Sequence, residues 1–197
     1  MNYHEALSSF FRHKPHTHGC MDEFVYQMID KYAPEKGVSL ETGAGLTTIF
    51  FAERSKSHQA ISLFKHDFMN KLDDVAKEID ISLDNVKYTQ GPSDKLLPVM
   101  GKRKYDFVLV DGGHEFPIPM IDWYYTHRNI KVGGFVMFDD VLLEAVNYTC
   151  RFLMADKHWK LMERNQKCAI FKKLSNYNST LLGWPDQNFV SDWLKVL

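Results

Sequence analysis

The stretch Val38-Ser39-Leu40-Glu41-Thr42-Gly43-Ala44-Gly45-Leu46-Thr47-Thr48 decides how the rest of the chain is read. A short apolar run closes on an acid, a glycine-bracketed turn follows, and the residues after it can start a helix. That is a strand, a tight turn and a helix N-terminus, with a carboxylate at the strand's end. Glycine lets a ligand approach the backbone closely, and the first turn of a helix offers N–H groups that have no partner of their own. A carboxylate beside such a turn suits a cationic or hydroxyl-bearing ligand better than a bare phosphate.

Outward from this stretch, strands and helices alternate. Strand patterns over 38–41, 59–64, 86–90, 107–111 and 135–139 are each followed by a helical pattern, over 46–54, 68–79, 93–100, 119–128 and 144–155. Gly133-Gly134 reads as the turn that precedes the fifth strand. Apolar strands between helices imply a parallel sheet covered on both faces. The expected class is therefore α/β, a Rossmann-like, doubly wound, mostly parallel sheet. Segments 159–163 and 168–173 flank a turn over 164–167 and predict an antiparallel hairpin at one sheet edge. A single domain over 1–197 is expected, with a helical cap over 1–37, a core over 38–173 and a tail over 174–197. The cap reads as helices over 3–11 and 21–32 joined by a loop. Trp184, Phe189 and Trp193 in the tail need burial, so the tail is expected to dock on the domain or on a second copy of the chain, as a homo-oligomer.

The totals narrow the function. With 24 basic and 25 acidic residues in 197, the net charge is −1, which gives no broad field for nucleic acid. The 3 cysteines, Cys20, Cys150 and Cys168, lie far apart and read as reduced thiols of a cytoplasmic protein. No window resembles a signal peptide or the roughly 20 apolar residues of a membrane span. The His13, His16, His18 and Cys20 group has no common zinc spacing and reads as an ordinary loop.

In doubly wound sheets, ligands bind beyond the carboxyl ends of the strands, near the point where strand order reverses. Those ends carry Glu41-Thr42-Gly43, Lys65-His66-Asp67, Gly91-Pro92-Ser93, Asp111-Gly112-Gly113-His114 and Asp139-Asp140. If the fourth and fifth strands are neighbours, their ends lie roughly 5 Å apart and three carboxylates meet. Two readings stand side by side. Asp111, Asp139 and Asp140 bind a hard divalent cation such as Mg²⁺, or they cap local turns. His114 either takes a proton from a hydroxyl or only hydrogen-bonds within its loop.

These segments together resemble the class I S-adenosylmethionine-dependent methyltransferases. Residues 40–48 are similar to that family's first motif. The runs 105–114 and 132–141 are similar to the fourth and fifth strands of a bacterial small-molecule subgroup that includes cation-dependent O-methyltransferases. The resemblance implies S-adenosylmethionine as cofactor and a small-molecule hydroxyl as acceptor. It assigns Glu41, Gly43, Ala44, Gly45, Thr47, Thr48, Lys65, His66, Ser93, Asp111 and Gly112 to the cofactor. It assigns Asp111, Asp139 and Asp140 to a divalent metal, and His114 with Asp111 to catalysis. The chain departs from the family at Lys65, which aligns with an acid that receives the cofactor ribose. A lysine cannot accept those hydrogen bonds. Two other readings follow from the same residues: a nucleotide-binding module of this fold without transferase activity, and a metal-dependent hydrolase built on the three aspartates.

Overall fold

The computed structural model describes residue 6, residues 23–63 and residues 66–177, the side chains at 66 and 67 excepted. The expected helix over 3–11, the histidine loop, Lys65, the side chain of His66 and the tail beyond 177 lie outside the described residues.

The alternation read from the sequence is the architecture. Helix α1 (Glu23–Tyr32) leads into β1 (Val38–Thr42), α2 (Leu46–Arg54) and β2 (Ser57–Ser62). Then come α3 (His66–Glu78), β3 (Val86–Gln90) and the short α4 (Ser93–Leu96), which runs on as a 3-10 turn over Leu97–Val99. β4 (Tyr105–Val110), α5 (Ile118–Thr126), β5 (Ile130–Phe138) and α6 (Glu144–Ala155) complete the alternation, and β6 (Trp159–Arg164) and β7 (Ala169–Lys173) form the terminal hairpin. The seven-stranded sheet has the order β3-β2-β1-β4-β5-β7-β6. β1, β2, β3, β4 and β5 pair in parallel, and β7 enters antiparallel between β5 and β6. Strand order reverses between β1 and β4, so their carboxyl ends flank the expected ligand crevice.

Strand periodicity explains the two-sided core. Along β4, Phe107 and Leu109 face one way and pack with Val25, Met28, Ile29 and Ile49 from α1 and α2. Val108 and Val110 face the other way and pack with Trp123, Val146 and Leu153 from α5 and α6. Successive residues of β4 therefore meet helices on opposite faces, as a sheet covered on both sides requires.

Several boundaries shift by a residue or more, the fourth strand spanning 105–110 rather than 107–111, and two of the shifts have consequences. The second strand spans 57–62 rather than 59–64, which leaves Leu63 exposed beyond its end. The fifth strand starts at Ile130, and Gly133-Gly134 lies inside it rather than ahead of it. The register jumps there, from Tyr105↔Ile130 to Phe107↔Phe135. Gly133 takes φ +87, and a Cβ on Gly134 would lie 2.9 Å from the Asp106 carbonyl oxygen. A bulge demands the same backbone freedom as a turn, so a glycine pair alone does not separate the two.

Candidate active site

The glycine turn is built from below. The Glu41 carboxylate is only 1% exposed, and the side chains around it belong to the fold itself. Thr47 Oγ1 donates to its Oε2 at 2.7 Å, and Thr48 Oγ1 donates to its Oε1. Gly45 N–H donates to Thr48 Oγ1 at 3.1 Å, which ties the start of α2 back to the turn. His58 of β2 reaches in from the neighbouring strand, with Nε2 3.1 Å from Glu41 Oε1. Its Nδ1 meets Ser39 Oγ at 2.8 Å, and its ring stacks on Phe51 with centroids 4.8 Å apart. Glu41 thus fastens the first turn of α2 to the end of β1. Removing it strands two buried hydroxyls, each costing on the order of 1 kcal/mol. Glu41→Ala is expected to lower unfolding free energy by about 2 kcal/mol, read as a shifted urea midpoint.

The turn also touches the β4 loop. Gly43 has φ +96, donates its N–H to the Ile61 carbonyl at 2.8 Å, and would place a Cβ 2.2 Å from the Asp111 carbonyl oxygen. Asp111 N–H donates to the Thr42 carbonyl at 3.0 Å, and Asp139 N–H to the Val110 carbonyl at 3.1 Å. The ends of β2, β1, β4 and β5 are therefore stitched side by side, and β4 and β5 are neighbours as the acid reading requires.

Asp111, Asp139, Asp140 and His114 come together at this edge. His114 Nε2 lies 3.7 Å from Asp111 Oδ1 and 3.7 Å from Asp140 Oδ2. Lys167, from the β6–β7 turn, brings Nζ to 3.5 Å from Asp140 Oδ1. Burial pushes the Asp111 carboxyl up to about 7; the Asp139 and Glu41 charges add to the rise, and His114 opposes it. Burial and the Asp140 charge push Asp139 up to about 6. The neighbouring Asp111 carboxylate, helped by Asp140 and Asp139, raises the His114 pKa above its usual 6.5 against the effect of burial. Asp139 Oδ1 is buried with no hydrogen-bond partner. The site carries negative charge that its own side chains only partly balance.

Three carboxylates are the right donors for a hard cation. Their arrangement is not a coordination sphere. Among the described residues, no three His, Cys, Asp or Glu side chains converge to hold an ion. The imidazole of His114 stands between Asp111 and Asp140 instead. The donor set as folded does not fit a bound metal.

Ser93 opens α4 and is half-buried, and Gly112 sits beside Thr42. Sequence reasoning missed two residues. His58, beneath the turn, lies in a strand buried on both faces, where any histidine stands out. Asp122 of α5 is fully buried, at 0% exposure, among the otherwise packed Pro119, Trp123 and Thr126. An acid on the buried face of an apolar helix was the available signal. No described helix is long and apolar enough to cross a membrane.

Known proteins bear on this geometry. No curated protein matches the chain. Among solved structures, a Corynebacterium glutamicum protein superposes with a TM-score of 0.73 at 10% identity, covering 89% of this chain and 92% of that one. The O-methyltransferase TomG of Streptomyces achromogenes, involved in tomaymycin synthesis and solved in complex with SAM, gives 0.68 at 13% identity, covering 89% and 92%. The SAH-bound methyltransferase PaMTH1 of Podospora anserina gives 0.64 at 12% identity, covering 87% and 88%. At these identities the likeness is one of fold. The sequence model described as a methyltransferase domain matches residues 40–141, from the middle of β1 to just past the paired aspartates. That span is more than half of the chain and holds both the glycine turn and the acids packed against it: the chain belongs to the methyltransferase domain family.

Proposed function

We propose that the protein transfers a methyl group from S-adenosylmethionine to a hydroxyl oxygen of a small molecule. The observation that carries this reading is the contact of the glycine turn with the Asp111–His114 loop, which puts a donor cradle and a proton acceptor at one switch point. The residues present suit the cofactor's charge. The raised Asp111 and Asp139 carboxyls and the unpartnered Asp139 Oδ1 mark a negative potential beside the turn, which an ammonium and a sulfonium relieve. SAM-bound and SAH-bound proteins of the same fold support the choice of cofactor.

When bound, the cofactor supplies an electrophilic methyl carbon on a positively charged sulfur. The turn over Gly43–Thr48, held rigid by Glu41, fixes where that donor sits. His114 faces the acceptor and takes the hydroxyl proton onto its free ring nitrogen, and Asp111 and Asp140 stabilise the imidazolium that results. The turn and the Asp111–His114 loop would hold the cofactor so that its methyl could pass to the acceptor oxygen, with the bonding electron pair left on the sulfur. Much of the rate comes from holding oxygen, carbon and sulfur in line.

Calorimetric titration with S-adenosylhomocysteine, with and without Mg²⁺, tests the reading. One-to-one binding is expected, equal in both conditions, because the acids do not form a coordination sphere. Absence of binding in both sinks the cofactor assignment. Binding that requires Mg²⁺ shows instead that the carboxylates close on an ion.

A further inference from the structure

The floor of this crevice holds a buried acid that the reaction as described does not use. Asp122 is 0% exposed, and neither carboxylate oxygen completes a hydrogen bond. Thr42 at the end of β1 is likewise 0% exposed, and its Oγ1 has no partner. The two atoms flank one point. A Cβ built on Gly112 would lie 3.3 Å from Thr42 Oγ1 and 3.4 Å from Asp122 Oδ2. Ser93, at the start of α4, is the third neighbour. The Ser93 and Thr42 hydroxyls lie near enough to favour the charged carboxylate, while burial and the Asp94 and Glu115 charges push its pKa up to about 6.

A carboxylate buried without completed bonds costs stability, and a fold keeps one only where something is gained elsewhere. What surrounds Asp122 identifies the gain. Thr42, Ser93 and Gly112 come from three different crossings of the sheet: the end of β1, the turn after β3 and the loop after β4. Those three segments border the place where the donor lies in the proposed function, and Asp122 of α5 faces all three. The carboxylate has four acceptor sites and its neighbours offer hydroxyl protons, so it can draw the three segments to a common level. The missing side chain at Gly112 lets the loop sit that low.

The geometry points to Asp122 as a positioning residue that levels the cofactor floor through the Thr42 and Ser93 hydroxyls and the Gly112 backbone. The inference rests on the cofactor assignment above. It does not touch the reacting atoms, and its effect is on donor affinity.

The test is S-adenosylhomocysteine affinity by calorimetry, with thermal unfolding at pH 8 measured in parallel, for the wild type, Asp122→Asn and Thr42→Val. Asparagine keeps the shape but replaces half of the acceptor with a donor. It also removes a buried charge, which at pH 8 is a relief, because the acid ionises above about 6. A positioning role therefore predicts at least tenfold weaker binding by Asp122→Asn with a Tm equal to or above wild type, and weaker binding by Thr42→Val. A merely structural acid predicts the reverse, a lowered Tm with unchanged affinity in the folded protein, and that result overturns the inference. If Asp122→Asn does not fold, Thr42→Val decides alone, and affinity within twofold of wild type overturns it. Wild-type protein that does not bind at all overturns the cofactor assignment, and this inference with it.

Discussion

Gly43→Ala is expected to destabilise the fold by at least about 4 kcal/mol and to abolish cofactor binding in whatever remains folded. Two independent effects add at this position. The backbone stands at φ +96, where an L side chain is strained. The new Cβ would lie 2.2 Å from the Asp111 carbonyl oxygen, a backbone atom that cannot rotate away. Relief requires the ends of β1 and β4 to part. That breaks the Asp111 N–H bond to the Thr42 carbonyl and lifts Asp111 away from the turn. Equilibrium urea unfolding checks the first effect and calorimetry with S-adenosylhomocysteine checks the second. An Ala variant within about 1 kcal/mol of wild type would show that the turn relaxes locally.

His114→Ala is expected to lower kcat for methyl transfer by about 10²- to 10⁴-fold, the usual worth of a positioned base, and to leave S-adenosylhomocysteine affinity within about twofold. The split follows from place. In the proposed function the glycine turn and the crevice floor hold the donor, and His114 lies beyond them between Asp111 and Asp140. The pH profile gives an independent check. A base must be neutral to work, so the rate should rise with pH as His114 loses its proton. The carboxylates hold that proton more tightly, so the midpoint should fall above the ordinary 6.5. A profile flat from pH 5 to 9, or equal loss of binding and turnover in the variant, removes His114 from the role of base.

The fold was legible because parallel strands buried on both faces are apolar runs with sharp ends. Glu41, Asp111 and Asp139 each mark where a run stops, and each lies at or just beyond the carboxyl end of its strand. The grouping of Asp111, His114 and Asp140 was legible for the same reason, since strand ends in such a sheet share one edge. What escaped was set by contacts between elements. Gly133-Gly134 serves a bulge because β4 and β5 are out of step across it, which neither strand shows alone. His58 matters because β2 lies beside β1 and brings its ring under Glu41. Asp122 matters because α5 packs beneath Thr42 and Gly112. The acids were legible as neighbours, but not the way an imidazole would stand between them. On α5, Trp123 is 6% exposed and packs in the core, while Tyr124 and Tyr125, at 40% and 39%, stay outside.

The rungs beyond the strand ends have a mechanical consequence. Gly43 N–H bonds to Ile61, Asp111 N–H to Thr42, and Asp139 N–H to Val110, each across a different strand boundary. They make a continuous bar along the lip of the sheet, so the donor cradle cannot tilt without carrying the acids with it. In hydrogen-exchange terms, the three amides should open together and only as slowly as the central strands do. The lip then behaves as a fixed jaw, and any closing on the acceptor falls to the segments that face it.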